Sequence, residues 1–179
     1  MDLIRGALAL AASGLLGACA LSPAGGGAEA QVQRTAHGVV HVSAPDLQTL
    51  AYGVAYAHAQ DNVCQTAQQL VTIRGQRSRW FGAGQAQMGL RVYSNEQIDL
   101  FIAAHMDDAV LARADATTSA DAQAMAAGYV AGYNRFLSDH TGRLPVACNG
   151  QPWVQPMTRA ELRRLGELSA VQIGIGLMA

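Results

Sequence analysis

Lysine is absent from this chain of 179 residues; its twelve basic residues are all Arg, against thirteen acidic ones, for a formal net charge of −1. So even a balance excludes a nucleic-acid binder that works by bulk charge. Charged residues are sparse at 14%, while half of all residues are hydrophobic, which excludes a disordered chain. The standard signatures of catalysis are missing as well. There is no G-x-S-x-G nucleophile elbow, no paired-carboxylate signature and no glycine loop for phosphates. Ser94, Ser119 and Ser169 have no recognisable base partner in the sequence. The five His do not cluster with cysteines or carboxylates at ligand spacing. His37 and His41 flank one short β pattern, but no H-E-x-x-H follows, so no metal site is expected.

What is present begins with a leader. Met1–Arg5 carries one Arg, offset by Asp2, and an apolar run from Gly6 to Ala18 follows. That run is shorter than the ~20 apolar residues that span a bilayer as a helix. Its position and small-residue end read as a secretory signal. Two exits are open. Leu16-Gly17-Ala18-Cys19 resembles a lipobox, in which Cys19 is lipidated and becomes the mature N-terminus. Ala28-Glu29-Ala30 is an A-x-A site for ordinary signal peptidase. Residues 1–30 therefore read as leader and linker, and 31–179 as one domain of ordinary size. Removing the leader takes out Asp2, Arg5 and Glu29 and leaves the remainder formally neutral.

Export decides how the cysteines are read. With Cys19 consumed by the signal, Cys64 and Cys148 remain, neither in C-x-x-C spacing. In an oxidising compartment two thiols favour a disulfide, the other reading being two buried free thiols. A bridge across a loop of this length is worth on the order of 4 kcal/mol in the chain-entropy model.

Along the chain, residues 31–44 read as extended, with Val39–Val42 a strand covered on both faces. Pro45-Asp46 ends it and caps a helix. Leu47, Leu50, Ala51 and Val54 recur at helical spacing, and Val63, Cys64, Ala67, Leu70 and Val71 resume it, with Gly53 as the interruption. The small residues Ala55, Ala57 and Ala59 let another backbone approach. Arg74-Gly75 ends the helix. Arg77, Arg79, Trp80 and Phe81 form an Arg/aromatic cluster, read either as Arg stacked on rings and paired with acids or as a patch for an anionic ligand. Gly82–Gly89 is a loop by composition. Helical patterns follow at 94–104 and 107–114. The clearest helix carries Ala122, Met125, Ala126, Tyr129, Val130, Tyr133, Phe136 and Leu137 on one stripe, capped by Thr118 or Ser119. After a loop at Cys148–Trp153, the Thr158–Glu161 capping box opens a last helix that runs through Leu162, Leu165, Leu168 and Ile173.

Five of these segments resemble the penicillin acylase family, in order. Arg34-Thr35-Ala36-His37-Gly38-Val39-Val40-His41-Val42 is similar to its opening strand. Tyr52-Gly53-Val54-Ala55-Tyr56-Ala57-His58-Ala59-Gln60-Asp61-Asn62 is similar to its Gly-x-Gly-Tyr-Ala-x-Ala-Gln-Asp helix, and Arg74-Gly75-Gln76-Arg77-Ser78-Arg79-Trp80-Phe81-Gly82 to its Gly-Glu-Arg-Ser-Arg-Trp-Phe-Gly stretch. The segments from Ala127 to Phe136 and from Cys148 to Trp153 complete the series, and the last three segments point to the acyl-homoserine-lactone and aculeacin A acylase branch. His37 stands where the family has an aromatic, Val40 where it has Pro, and Ala55 where it often has Gly.

The resemblance implies an N-terminal nucleophile hydrolase made as one precursor of signal, α chain, spacer and β chain. Autocleavage exposes a Ser at the start of β, whose own α-amino group is the general base. Oxyanion donors also lie in β. This sequence resembles the α chain and stops before that Ser, so it contributes no catalytic residue. The implied fold is α+β, a mostly helical chain that adds a strand to an αββα core completed by the β chain. The implied partners are that β chain and an acylated small molecule: an acyl-homoserine lactone, an acyl lipopeptide or a β-lactam. The last helix of the family's α chain helps to line the acyl pocket, which points here to Ala170, Ile173 and Gly174, or else to ordinary α/β interface at those positions. Some members bind calcium through an α-chain Glu near this end. Glu161 and Glu167 do not match that position, so no metal or other cofactor is expected. The implied location is the periplasm, with an outer-membrane lipid anchor if Cys19 is processed. The competing readings are a non-catalytic exported helical lipoprotein that binds a partner through its apolar face, and an orphan acylase fragment.

Overall fold

A computed structural model describes residues 19–21 and 29–174. The apolar run Gly6–Ala18, Ala28 of the A-x-A site and the apolar residues after Gly174 lie outside the described residues.

The chain begins with a small antiparallel sheet of order β1 (Cys19–Leu21), β2 (Ala30–Arg34) and β3 (Val40–Ser43). Val32 faces Val42, and Gln33 faces His41. The segment expected to be one extended run is thus a hairpin. Gly38, at φ 80°, supplies the left-handed turn residue, and Thr35 and Val39 close the turn (Thr35 N to Val39 O, 3.0 Å). Nor is the sheet covered on both faces. Ala30 and Val32 are buried against the next helix, while Gln31, Gln33, His41 and Ser43 are exposed. Alternation of period two therefore governs here.

Helix α1 (Leu47–Ile73) is the central element. The Asp46 carboxylate caps it by accepting the Thr49 N–H at 2.8 Å, and this bond, with that from the Thr49 hydroxyl, holds the Asp46 carboxyl below the usual range. Its irregularity sits at Asn62 (φ −131°, ψ 17°) rather than at Gly53. Gly53 instead lets the sheet approach, since a Cβ there would lie 2.7 Å from Ala30 Cβ and 2.8 Å from Val42 Cγ1. Arg74 and Gly75 (φ 62°) terminate the helix.

After the short α2 (Arg77–Phe81), the expected loop is a second hairpin, β4 (Gln85–Met88) and β5 (Arg91–Ser94), turning at Gly89 (φ 63°). The sequence hid it because only Ala86 and Met88 alternate with the glutamines, too few apolar positions to display a period. Next come α3 (Asn95–His105), capped by a Ser94–Gln97 box, and α4 (Asp108–Ala116). Then come α5 (Ala120–Asp139), capped by Ser119, and α6 (Arg159–Gly174).

Helices α1 and α5 form the main packing pair. Their contact runs through Gly128 and Gly132, where an added Cβ would fall 1.9 Å from Gln48 O and 2.2 Å from Tyr52 O. The small residues that admit the neighbouring backbone are therefore on α5. The inward face of α5 is Gly128, Gly132, Tyr133 and Phe136, whereas Ala122 and Met125, expected on the buried stripe, are exposed. Leu70, Val71 and Ile73 of α1 are fully buried with Ile98 and Ile102 of α3, each such side chain contributing about 1.5–3 kcal/mol. Cys64 on α1 and Cys148 in the loop after α5 are joined, with an S–S distance of 2.00 Å and Cα atoms 5.4 Å apart.

Candidate functional site

The residues around the end of α1 converge on α6. Arg74, the C-cap of α1, sends Nε to Glu161 Oε1 (2.6 Å), Nη2 to Pro156 O (3.2 Å) and Nη1 to Gln155 Oε1 (3.4 Å). The other oxygen of Glu161 accepts the N–H (2.7 Å) and hydroxyl (2.9 Å) of Thr158, and Thr158 Oγ1 accepts the Glu161 N–H. One carboxylate thus closes the expected capping box and receives a guanidinium. Burial pushes the Glu161 carboxyl up, but the Arg74 and Thr158 donors outweigh it and hold it below the usual range. One turn on, Arg164 donates to Ile73 O (3.0 Å) and to Asp108 Oδ1 of α4 (2.5 and 3.1 Å). The Asn134 amide of α5 grips Met157 in both directions, at 2.7 and 2.9 Å. Tyr133 lies behind this junction, its hydroxyl buried and without a hydrogen-bond partner among the described residues; burial raises its pKa well above the ordinary value.

On the side facing the β4–β5 hairpin, α6 borders a groove of about 380 Å³. Gln65, Gln68, Gln69 and Thr72 of α1 line it with Arg77, Gln87, Ser169 and Gln172, and Met88, Ile98, Leu165 and Leu168 supply apolar wall. Arg77 is held by Asn95 Oδ1 (2.9 Å) and Thr72 Oγ1 (3.0 Å) and lies over Phe81 at 5.1 Å. Burial lowers its pKa, against the pull of Asp99. Asp99 meanwhile caps α2, accepting the backbone N–H groups of Arg77 and Ser78, each at 2.8 Å. Arg79 stacks on Trp80 at 4.9 Å, and Phe81 meets Trp153 edge-on at 5.5 Å. The Arg/aromatic cluster is thus a stacked and hydrogen-bonded corner. The groove offers amide and hydroxyl hydrogen bonds and one cation but no nucleophile–base pair. Ser169 Oγ donates to Leu165 O (2.8 Å), and among the described residues no His or carboxylate borders the groove.

The sequence-derived site residues fall elsewhere. Ala170 is exposed on the side of α6 away from the groove, Ile173 is 68% exposed, and Gly174 is the last described residue of the helix. Leu165 and Leu168, which the sequence places on the last helix, face the groove together with Gln172. Cys19 stands in β1, paired with Val32. His37 lies in the first hairpin turn and His41 on the exposed sheet face. Among the described residues no three His, Cys, Asp or Glu gather as a metal set, and no helix is long and apolar enough to cross a membrane. A second, apolar surface opens between α1 and α5, lined by Leu50, Val54, Met125, Ala126, Tyr129 and Leu162, with Val54 41% and Met125 44% exposed.

Residues 29–168 match the family model of penicillin amidase. Acyl-homoserine lactone acylase PvdQ of Pseudomonas putida is 38% identical over 156 residues, covering 86% of this chain and 20% of that protein. Aculeacin-A acylase of Actinoplanes utahensis is 40% identical over 162 residues, with the same two shares. The chain therefore spans about a fifth of the length of these curated relatives. Among solved structures, a thermostable penicillin G acylase from Alcaligenes faecalis superimposes with a TM-score of 0.68 at 24% identity, covering 83% of this chain and 75% of that one. The motifs from Arg34 to Trp153 lie within the matched span, and this chain belongs to the penicillin amidase family.

Proposed function

We propose that this chain is the α portion of an acylase precursor, which removes an acyl group by amide hydrolysis once a β chain supplies an N-terminal Ser. The observation that carries this reading is the match to the penicillin amidase family over residues 29–168, with 75% of a solved penicillin G acylase chain covered at a TM-score of 0.68. One feature supports it. The apolar surface between α1 and α5 calls for a covering partner, which on this reading is β. The substrate is an acyl-homoserine lactone, an acyl lipopeptide or a β-lactam, with the acyl chain against Ala170, Ile173 and Gly174 on the exposed end of α6. Export places the enzyme in the periplasm, anchored to the outer membrane where Cys19 is lipidated.

The test is to express the complete polypeptide and follow release of the free amine from N-acyl-homoserine lactones, an acyl lipopeptide and penicillin G by mass spectrometry. Turnover of one class by the matured protein, and none by residues 1–179 alone, is the expected result. A matured two-chain protein inert on all three would overturn the reading and favour a non-catalytic binding role.

A further inference from the structure

The two ends of α6 are held very differently. Its first two turns are tied to three other elements, by Glu161 to Arg74, by Arg164 to Ile73 O and Asp108, and through Met157 to Asn134. The Arg74 and Glu161 side chains are 14% and 17% exposed, so the pair is shielded from water and salt. Leu168 is the last buried residue of the helix among those described. Beyond it, Ser169 bonds within the helix, Val171 and Gln172 are half-buried, and Ala170 and Ile173 are exposed. The helix is a lever, clamped by charge-assisted bonds at one end and, among the described residues, by none at the other.

Its length gives the lever arm. Ile173 is twelve residues beyond Glu161, about 18 Å at the helical rise, so a tilt of about 5° at the clamp displaces residue 173 by about 1.5 Å. A shift of that size is about one carbon of an acyl chain, and one methylene is worth about tenfold or more in discrimination by an apolar pocket.

We infer that the Arg74–Glu161 pair, with Arg164 on Ile73, is a positioning clamp that fixes the tilt of α6 and thereby sets which acyl-chain length the enzyme prefers. This rests on the reading above, in which the far end of α6 meets the acyl group. The clamp residues touch no reacting atom; they act through the helix. Neutralising the pair leaves hydrogen bonding and the capping acceptor in place but removes the charge-assisted bonds that hold the angle. Arg74→Lys keeps the charge and loses the fork.

The experiment uses the matured product of the complete precursor and compares kcat/KM for dodecanoyl- and butanoyl-homoserine lactone. The double variant Arg74→Gln/Glu161→Gln is expected to change the ratio of the two by about tenfold, with Arg74→Lys recovering most of it. An unchanged ratio, with both substrates slowed equally, would show the pair to be merely structural and overturn the inference. Should the double variant fail to mature, Arg164→Gln leaves the capping carboxylate paired and decides by the same ratio. A wild-type protein inert on both lactones would instead remove the premise, an outcome distinct from an active enzyme whose ratio does not move.

Discussion

The substitution Gly128→Ala tests the contact on which the helical core depends. In a solvent-facing helix interior, Gly→Ala stabilises by about 1 kcal/mol, because Ala loses less backbone entropy. At Gly128 the new Cβ falls 1.9 Å from Gln48 O and 2.8 Å from its carbonyl carbon. Both are backbone atoms inside a helix, with no flexible end to move aside. Restoring ordinary contact requires α1 and α5 to separate by about 1.5 Å, and cores packed at crystal density transmit such a shift rather than absorb it. Overpacking of this kind costs about 1–3 kcal/mol or more, so the propensity gain is outweighed and the net loss is about 2 kcal/mol. In a domain of this size unfolding by itself that lowers Tm by about 4–8 °C, and in the longer matured protein by less. Gly132→Ala, 2.2 Å from Tyr52 O, should behave alike, and the two together sub-additively because they share one interface. Gly166→Ala on α6 is the control. Nothing lies within 4 Å of its new Cβ, so its Tm should hold or rise. Thermal denaturation of the matured protein reads all four variants. A Gly128→Ala protein as stable as wild type would refute the close approach of α1 and α5.

The remaining predictions concern the cysteines, the clamp and the leader. Cys64→Ser should cost on the order of 4 kcal/mol, the loop-closure value for a separation of 84 residues, and non-reducing peptide mapping should find Cys64 linked to Cys148. Two alkylated free thiols would contradict that linkage. The Glu161 carboxyl is held lower in the folded chain than in the unfolded one, so it adds stability above the unfolded pKa and loses it as pH falls through the folded value. Acidification across that window should therefore lower the Tm of wild type more steeply than that of Glu161→Gln, and parallel curves would deny the carboxylate this role. Ala30 is fully buried in β2, and cleavage after it would remove a residue that packs at Gly53. Mass analysis of the exported protein should accordingly find a lipidated Cys19 as the first residue and Cys19→Ala should block processing; a mature terminus at Gln31 would favour the A-x-A site.

What could be read from the sequence is what short-range chemistry decides. The caps at Asp46, Ser119 and Thr158 need only a side chain within three residues of an open N–H; the first and third form as the sequence predicts, and the structure selects Ser119 over Thr118. Gly75 marks the end of α1 for the same local reason. The misreadings arise where distant partners decide. Gly53 looks like a helix breaker until the sheet is seen to pack on it, and Asn62 gives no sign of its irregular backbone. The apolar stripe on α5 pointed to Ala122 and Met125, but close contact with α1 selects the glycine face, which a count of hydrophobic residues does not register. The same holds at the groove. Its polar wall is built from glutamines of α1 and β4 and from α6 residues far apart in the chain, and nothing in their local spacing brings them together. Arg74 with Glu161, separated by 87 residues, is another pairing that only the folded chain reveals.

The most direct test of the central claim is to read the coding DNA beyond the codon for Ala179. An acylase precursor predicts an open frame that continues through a spacer to a Ser and then through a long sheet-rich segment. Purified protein from that frame should contain two chains, the second beginning with that Ser. A stop codon directly after Ala179, with no separate β-like gene beside it, would contradict the account and leave an orphan fragment without hydrolytic activity.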